Sequence, residues 1–193
     1  MRTRVIIFDI YNTLLQVGAA PPDAEVRWLR LCRSLGKETT VLSLAEFDAK
    51  CREAIARDHA AAKARGVAFP EVFWPEITCT VLPQLKGLSP DSLDDFLYEH
   101  AQLQRTVQLM PGAGEALRTL HQQGTVLGLC SNSQPYTLRE LAQALAQVRL
   151  TMEIFDPRLC FYSFRAGFSK PNLKAFEQLQ QVLTGLSVSP VEV

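Results

Sequence analysis

The chain has 193 residues, of which 47% are hydrophobic, and its 20 lysine and arginine residues balance its 20 aspartate and glutamate residues. This length suffices for one core domain with a modest insertion, and the apolar fraction is too high for a disordered chain. Because the charge is balanced, we expect no nucleic acid partner. The first apolar run, Val5 to Phe8, is too short for a signal peptide or a membrane span. We therefore expect a cytoplasmic protein without a membrane partner.

The cysteine and histidine residues are widely scattered along the chain. No pair has the close spacing of a zinc site or a redox motif. We therefore interpret the five cysteines as reduced side chains with mostly structural roles.

The apolar pattern divides the chain into an α/β core, residues 1–15 and 108–193, and an inserted helical cap, residues 16–107. Val5 to Asp9 is short, β-branched and almost continuously apolar, which is typical of a buried parallel strand. In the cap we predict four helices and no strand. One helix begins at the capping-box pair Ser43 and Glu46, a third covers Glu71 to Leu85, and the last opens at Ser89-Pro90. Such helices with short links indicate a small bundle.

After Met110 the core resumes, with helices and strands in alternation. We predict strands at residues 125–130 and 159–163, and helices that begin near Pro111, after Pro135 and at Leu173. This alternation is typical of a Rossmann-like three-layer α/β fold with a parallel sheet.

Polar residues follow the predicted strands at the points where they end. Asp9 to Thr13 follow the first strand, Ser131 and Asn132 follow the second, and Lys170 precedes a helix. Ligands of an open parallel sheet bind beyond the carboxyl ends of its strands. We therefore expect Asp9, Ser131 and Lys170 to converge in one crevice between the core and the cap.

These residue types form a chemically coherent set. An aspartate can attack carbon or phosphorus and form an ester or an acyl phosphate, which divides a difficult displacement into two steps. Hydroxyl and amide donors together with a lysine ammonium would stabilise an anionic group of the substrate. Each residue alone is more typical of a turn, a helix cap or an exposed loop than of an active site, so the interpretation depends on their combination.

Three segments resemble motifs of the haloacid dehalogenase superfamily, in the same order. Phe8 to Leu15 resembles its first motif, Pro111 to Asn132 resembles the approach to its second, and Gly167 to Pro171 resembles its third. The resemblance covers about half of the chain, and the cap matches in place, size and helical character.

The resemblance implies a nucleophile at Asp9 and a charge-neutralising ammonium at Lys170. The implied catalytic residues are Asp9, Tyr11, Thr13 and Lys170, and the implied substrate-binding residues are Ser131 and Asn132. In the phosphatase branch of the family, Mg²⁺ would be held by Asp9, by the backbone carbonyl of Tyr11 and by an acidic fourth motif. The dehalogenase branch would need no cofactor.

Tyr11 departs from the phosphatase pattern, which has a second aspartate at this position as general acid and base. A tyrosine with an ordinary pKa near 10 is a poor base at neutral pH. The dehalogenase branch has tyrosine there, so Tyr11 favours that branch. Dehalogenases also use an arginine soon after the first motif; Arg27, Arg30 and Arg33 are candidates that the sequence does not distinguish from surface residues.

The acidic fourth motif of the family has no counterpart after Leu186. We expect a sheet that is incomplete on its C-terminal side, with Val5 to Phe8 as an edge strand. A second copy of the chain, another partner, or the tail Ser187 to Val193 would then cover this edge.

Two functions remain open from the sequence. The first is a hydrolase that uses an aspartate nucleophile on a small anionic substrate, either a phosphate ester or a 2-haloacid. The alternative is a catalytically impaired or truncated member of the family that acts as a binding or scaffold protein.

Overall fold

The computed structural model describes residues 4–36 and 42–188. The elements in chain order are β1 (Val5–Phe8), β2 (Leu15–Val17), α1 (Ala24–Arg33), α2 (Leu44–Ala64), α3 (Trp74–Val81), α4 (Pro90–Gln104), β3 (Val107–Leu109), α5 (Ala113–Gln122), β4 (Val126–Ser131), α6 (Pro135–Gln147), β5 (Phe155–Tyr162), α7 (Ser163–Ala166) and α8 (Leu173–Gly185). Two 3-10 turns, Pro83–Gly87 and Met152–Ile154, complete the set within these residues.

The chain folds as two compact units. The α/β unit contains the chain up to Val17 and again from Val107, and the helical unit is Gly18–Thr106. The sequence analysis placed the corresponding junctions after residues 15 and 107, and the structure divides the chain after Val17 and Thr106.

A parallel sheet with the strand order β1-β4-β5 forms the centre of the α/β unit, which confirms the predicted α/β class. β1 runs alongside β4 from the pair Val5 and Val126 to the pair Phe8 and Leu129. Among the described residues β1 pairs with β4 alone and is therefore an edge of the sheet, as expected.

Helices cover both faces of this sheet. On one face, Leu117 of α5 and Leu141 of α6 pack with Leu127 and Leu129 of β4. On the other face, α8 packs on the sheet through two clusters of buried side chains, formed by Val5, Leu159, Leu183 and Val188 and by Cys130, Phe161, Ala175 and Leu179. Each large apolar side chain buried in this way contributes about 1.5–3 kcal/mol. The three layers of the prediction are therefore present.

The end of the described chain lies near β1. Val188 packs with Val5 on the face of the sheet, and the carbonyl of Ser187 accepts a hydrogen bond from the guanidinium of Arg4 at 3.0 Å. The rest of the tail that we expected to cover the sheet edge, residues 189–193, lies outside the described residues.

A short antiparallel ribbon joins the entrance and exit of the helical unit. β2 pairs with β3, with Leu15 opposite Leu109 and Val17 opposite Val107. The prediction of no strand in residues 16–107 was therefore wrong at Gln16, Val17 and Val107. Three-residue strands are too short to show an alternating pattern, and their pairing depends on the fold that brings them together.

Local signals predicted most of the helical unit correctly. Ser43 and Glu46 form the capping box that begins α2, and the Ser89 side chain accepts a hydrogen bond from the backbone of Ser92 at the start of α4. The third helix was predicted too long, since α3 ends at Val81 and a 3-10 turn begins at Pro83. Proline lacks a backbone N–H and disfavours α-helical geometry in the residue before it.

An aromatic cluster forms the core of the helical unit. Trp28 packs against Phe47 with their ring centroids 4.7 Å apart, and its indole N–H donates to the carbonyl of Leu42 at 2.8 Å. Within residues 4–36 and 42–188, no helix is long and apolar enough to cross a membrane.

The sheet requires glycine at position 128. A Cβ on Gly128 would overlap the backbone oxygen and the Cβ of Leu159 on the neighbouring strand, where the register of β4 and β5 is also irregular. We expect Gly128→Ala to lower the free energy of unfolding by about 1–3 kcal/mol, because the strands must separate to admit the methyl group. Chemical denaturation would measure this change.

The control for this prediction is Gly185→Ala at the end of α8, where nothing lies within 4 Å of an added Cβ. Its stability should be unchanged or slightly higher, since alanine favours helix. A Gly128→Ala protein as stable as this control would contradict the argument from strand spacing.

Candidate active site

The parallel sheet places the predicted site residues near the carboxyl ends of its strands. Asp9 directly follows β1, and Ser131 is the last residue of β4. Because β1 and β4 are adjacent and parallel, their carboxyl ends lie side by side. Lys170 lies in the loop between α7 and α8, and its side chain reaches the same end of the sheet.

Asp9 and Lys170 form an ion pair. Nζ of Lys170 lies 2.8 Å from Oδ2 of Asp9. The Lys170 side chain is 21% exposed and the Asp9 side chain is 44% exposed. The same ammonium donates to the backbone carbonyl of Cys130 at 2.7 Å. The other carboxylate oxygen, Oδ1, accepts the backbone N–H of Ile10 at 2.8 Å. The Asp9 carboxylate is thus oriented at both oxygens while remaining accessible.

The loop that carries Asp9 is held by its own backbone. The carbonyl of Ile10, a fully buried residue, accepts the backbone N–H groups of Leu14 and Leu15, each at 2.8 Å. Asn12 lies in the left-handed region with φ +59° and donates its N–H to the carbonyl of Leu15. Asp9 is therefore followed directly by a tight, well-defined turn.

Asn132 holds the Lys170 loop. Its side-chain oxygen accepts the backbone N–H of Lys170 at 2.7 Å, and its side-chain nitrogen donates to the carbonyl of Lys170 at 3.1 Å. The side-chain amide of Asn132 thus positions the backbone of Lys170, and its predicted role in substrate binding remains a proposal.

Ser131 and Thr13 differ strongly in their surroundings. Ser131 is fully buried, with its hydroxyl 3.5 Å from the carbonyl of Asn132. Thr13 is exposed, and its side chain makes no hydrogen bond to any part of the chain that the structure describes. Their predicted roles in substrate binding and in support of the nucleophile remain proposals.

The side chain of Tyr11 contacts helix α6. Its hydroxyl lies 2.9 Å from Oγ1 of Thr137 and 2.5 Å from Oε2 of Glu140, both on α6. Thr137 is fully buried and Glu140 is 1% exposed.

The sequence analysis did not identify Thr137 or Glu140. A signal was present, because the buried residues of α6 recur at helical spacing and include these two polar positions: Thr137, Glu140, Leu141, Ala144 and Leu145. A glutamate on the apolar face of a helix is unusual unless it has a partner.

An open cleft of 670 Å³ ends at the ion pair. Asp9, Lys170 and Cys130 line one part of it, and side chains of α8, among them Phe176 and Leu179, line another. Burial raises the pKa of the Cys130 thiol, and the nearby Lys170 ammonium opposes this effect only in part. The thiol is therefore protonated near neutral pH and a poor nucleophile.

The described residues do not supply a donor set suited to Mg²⁺. They contain no group of three His, Cys, Asp or Glu side chains that could hold a metal ion. The Asp9 carboxylate is already paired with an ammonium, whereas Mg²⁺ prefers several oxygen ligands.

The arginines considered from the sequence lie in the helical unit. Arg27 is on α1, and its guanidinium is 3.7 Å from the carboxylate of Glu99 on α4.

Comparisons with known proteins show the family to which the chain belongs. The sequence profile of the haloacid dehalogenase-like hydrolases matches residues 3–193. The chain therefore belongs to the haloacid dehalogenase-like hydrolase family. No curated protein matches its sequence closely.

Two solved structures with TM-scores above 0.5 have a similar fold, and a third matches more weakly. A haloacid dehalogenase family enzyme from Bacteroides thetaiotaomicron is 13% identical with a TM-score of 0.54, and the match covers 100% of this chain and 82% of that one. A predicted family hydrolase from Porphyromonas gingivalis is 18% identical with a TM-score of 0.51, covering 100% and 80%. The L-2-haloacid dehalogenase from Xanthobacter autotrophicus is 18% identical with a TM-score of 0.49, covering 100% and 68%.

Proposed function

We propose that this chain is a hydrolase that uses Asp9 as a nucleophile on a small anionic substrate. The observation that carries the proposal is the ion pair of Asp9 and Lys170 at the carboxyl end of β1, open to a cleft. An accessible carboxylate beside a fixed ammonium has the two properties that such a reaction needs, a nucleophile and a compensating positive charge.

The reaction has two steps. A carboxylate oxygen of Asp9 attacks the carbon or phosphorus atom of the substrate, and the leaving group departs with the bonding electron pair. The resulting ester or acyl phosphate is then hydrolysed by water, which restores the carboxylate. The Lys170 ammonium, held by the carbonyl of Cys130, offsets the negative charge of the substrate and of Asp9.

Of the two substrate classes, 2-haloacids are the better supported. Displacement of a halide needs no acid to protonate the leaving group, whereas an alkoxide leaving from a phosphate ester does. The position used for this acid in the phosphatases is Tyr11, and its hydroxyl is bonded to Glu140.

A second candidate is a binding protein with impaired hydrolysis. It is favoured by a specific observation: Asp9 is the only carboxylate among the described residues that line the cleft. A second carboxylate that could act as general acid or base is therefore not found among these residues. Such a protein would bind small carboxylates or phosphates at Lys170 without turnover.

A panel of substrates separates these possibilities. The purified chain would be incubated with both enantiomers of 2-chloropropionate and with small phosphate monoesters, each with Mg²⁺ or with a chelator. We expect halide release that is insensitive to the chelator. Phosphate release that requires Mg²⁺ would assign the chain to the phosphatase class instead, and binding without any turnover would contradict the hydrolase proposal.

A further inference from the structure

Glu140 is a buried carboxylate that the proposed reaction does not use. It lies on the buried face of α6, is 1% exposed, and has its Oε2 2.5 Å from the hydroxyl oxygen of Tyr11. Glutamate is rarely buried unless hydrogen bonds compensate for the loss of water. Tyr11 is two residues from Asp9 in the chain, so the contact joins α6 to the loop that carries the nucleophile.

The direction of the hydrogen bonds around the Tyr11 hydroxyl follows from the number of hydroxyl protons available. A phenol has one hydroxyl proton, and it goes to the stronger acceptor, the carboxylate of Glu140. The hydroxyl of Thr137, 2.9 Å from the Tyr11 oxygen, then donates to Tyr11 and itself accepts the N–H of Gln134 at 3.1 Å. A buried hydrogen-bond network of this kind favours a single geometry of the groups that it joins.

This network and two further contacts connect the loops of the site. Tyr11 ties the loop after β1 to α6, which follows the loop after β4. Asn132, in the loop after β4, holds the backbone of Lys170. Lys170 returns to Asp9 at 2.8 Å. Loss of any one contact would remove a link between a loop that carries a reacting group and its neighbour.

We propose that Glu140 is a positioning residue of the active site, which fixes the Asp9 loop by accepting the hydroxyl proton of Tyr11. The proposal rests on the hydrolytic function proposed above. It also makes Tyr11 an anchor of the loop and not an acid or base, because its proton is held by a buried group of α6.

A double-mutant cycle tests the proposal, with the variants Glu140→Gln, Tyr11→Phe and the two combined. Glutamine keeps the size of the side chain and removes the charged acceptor. We expect Glu140→Gln to lower kcat about tenfold to a hundredfold with little change in KM, since small errors in the position of a nucleophile have effects of this size. In the Tyr11→Phe background the same change should have no further effect on kcat. The control is Glu115→Gln, an exposed glutamate of α5, which should leave kcat unchanged.

A second measurement does not depend on turnover. Backbone amide resonances of residues 10–13 should shift on Glu140→Gln when Tyr11 is present, and should not shift further in the Tyr11→Phe protein. Additive losses of kcat, or no loss, together with unchanged resonances would overturn the proposal and leave the hydrolase function standing. A parent chain without turnover that still shows the coupled shifts would overturn the hydrolase function and leave Glu140 as the anchor of the loop.

Discussion

Asp9→Asn is expected to lower the rate of hydrolysis by about four powers of ten, equivalent to roughly 5–6 kcal/mol of activation free energy. The amide is a far weaker nucleophile than the carboxylate, and the cleft at the ion pair offers no ionised alternative, because burial keeps the Cys130 thiol protonated. The measurement is the steady-state rate with whichever substrate of the panel is turned over fastest.

The asparagine variant must also be shown to fold. Its side-chain oxygen can still accept the N–H of Ile10, but its nitrogen donors cannot accept from Lys170. Thermal unfolding should therefore show a modest change at most, since the pair is partly exposed. Asp23→Asn, at an exposed aspartate without a side-chain capping bond, is the matched control. A folded Asp9→Asn protein with near-normal activity would show that Asp9 is structural.

Lys170→Met is expected to lower kcat/KM by about two to three powers of ten. Removal of one group that stabilises developing negative charge has effects of this order. Methionine retains most of the length and apolar contact of lysine but loses the ammonium that bonds to both Asp9 and the carbonyl of Cys130. Both kcat and KM should change, because the ammonium serves the anionic substrate before and during the reaction.

The control for the lysine is Lys174→Met on the exposed side of α8, which should leave both kinetic constants unchanged. Lys170→Arg should restore little activity, because a planar guanidinium does not replace a compact ammonium that has two acceptors at short range. Equal activity of the Lys170→Met and Lys174→Met proteins would remove Lys170 from the mechanism.

Local sequence patterns determined the fold class and most of the helices. The apolar run Val5 to Phe8 is a parallel strand, and Ser43 with Glu46 is a capping box. Each of these features depends on residues that are close together in the chain, so it can be predicted from the sequence alone. The expected proximity of Asp9 and Lys170, 161 positions apart, also followed, because a parallel sheet brings the ends of its strands to one edge.

The tertiary structure alone decided which partners the site residues take. The bond between Tyr11 and Glu140 spans 129 positions, and the amide of Asn132 bonds to the backbone of Lys170, 38 positions away. The short β2–β3 ribbon depends in the same way on segments distant in sequence. Periodicity shows which face of a helix or strand is buried, but not which atom of a distant segment is placed opposite it. That choice depends on the packing of the layers, where a buried polar group must find a partner or lose the free energy of its hydration.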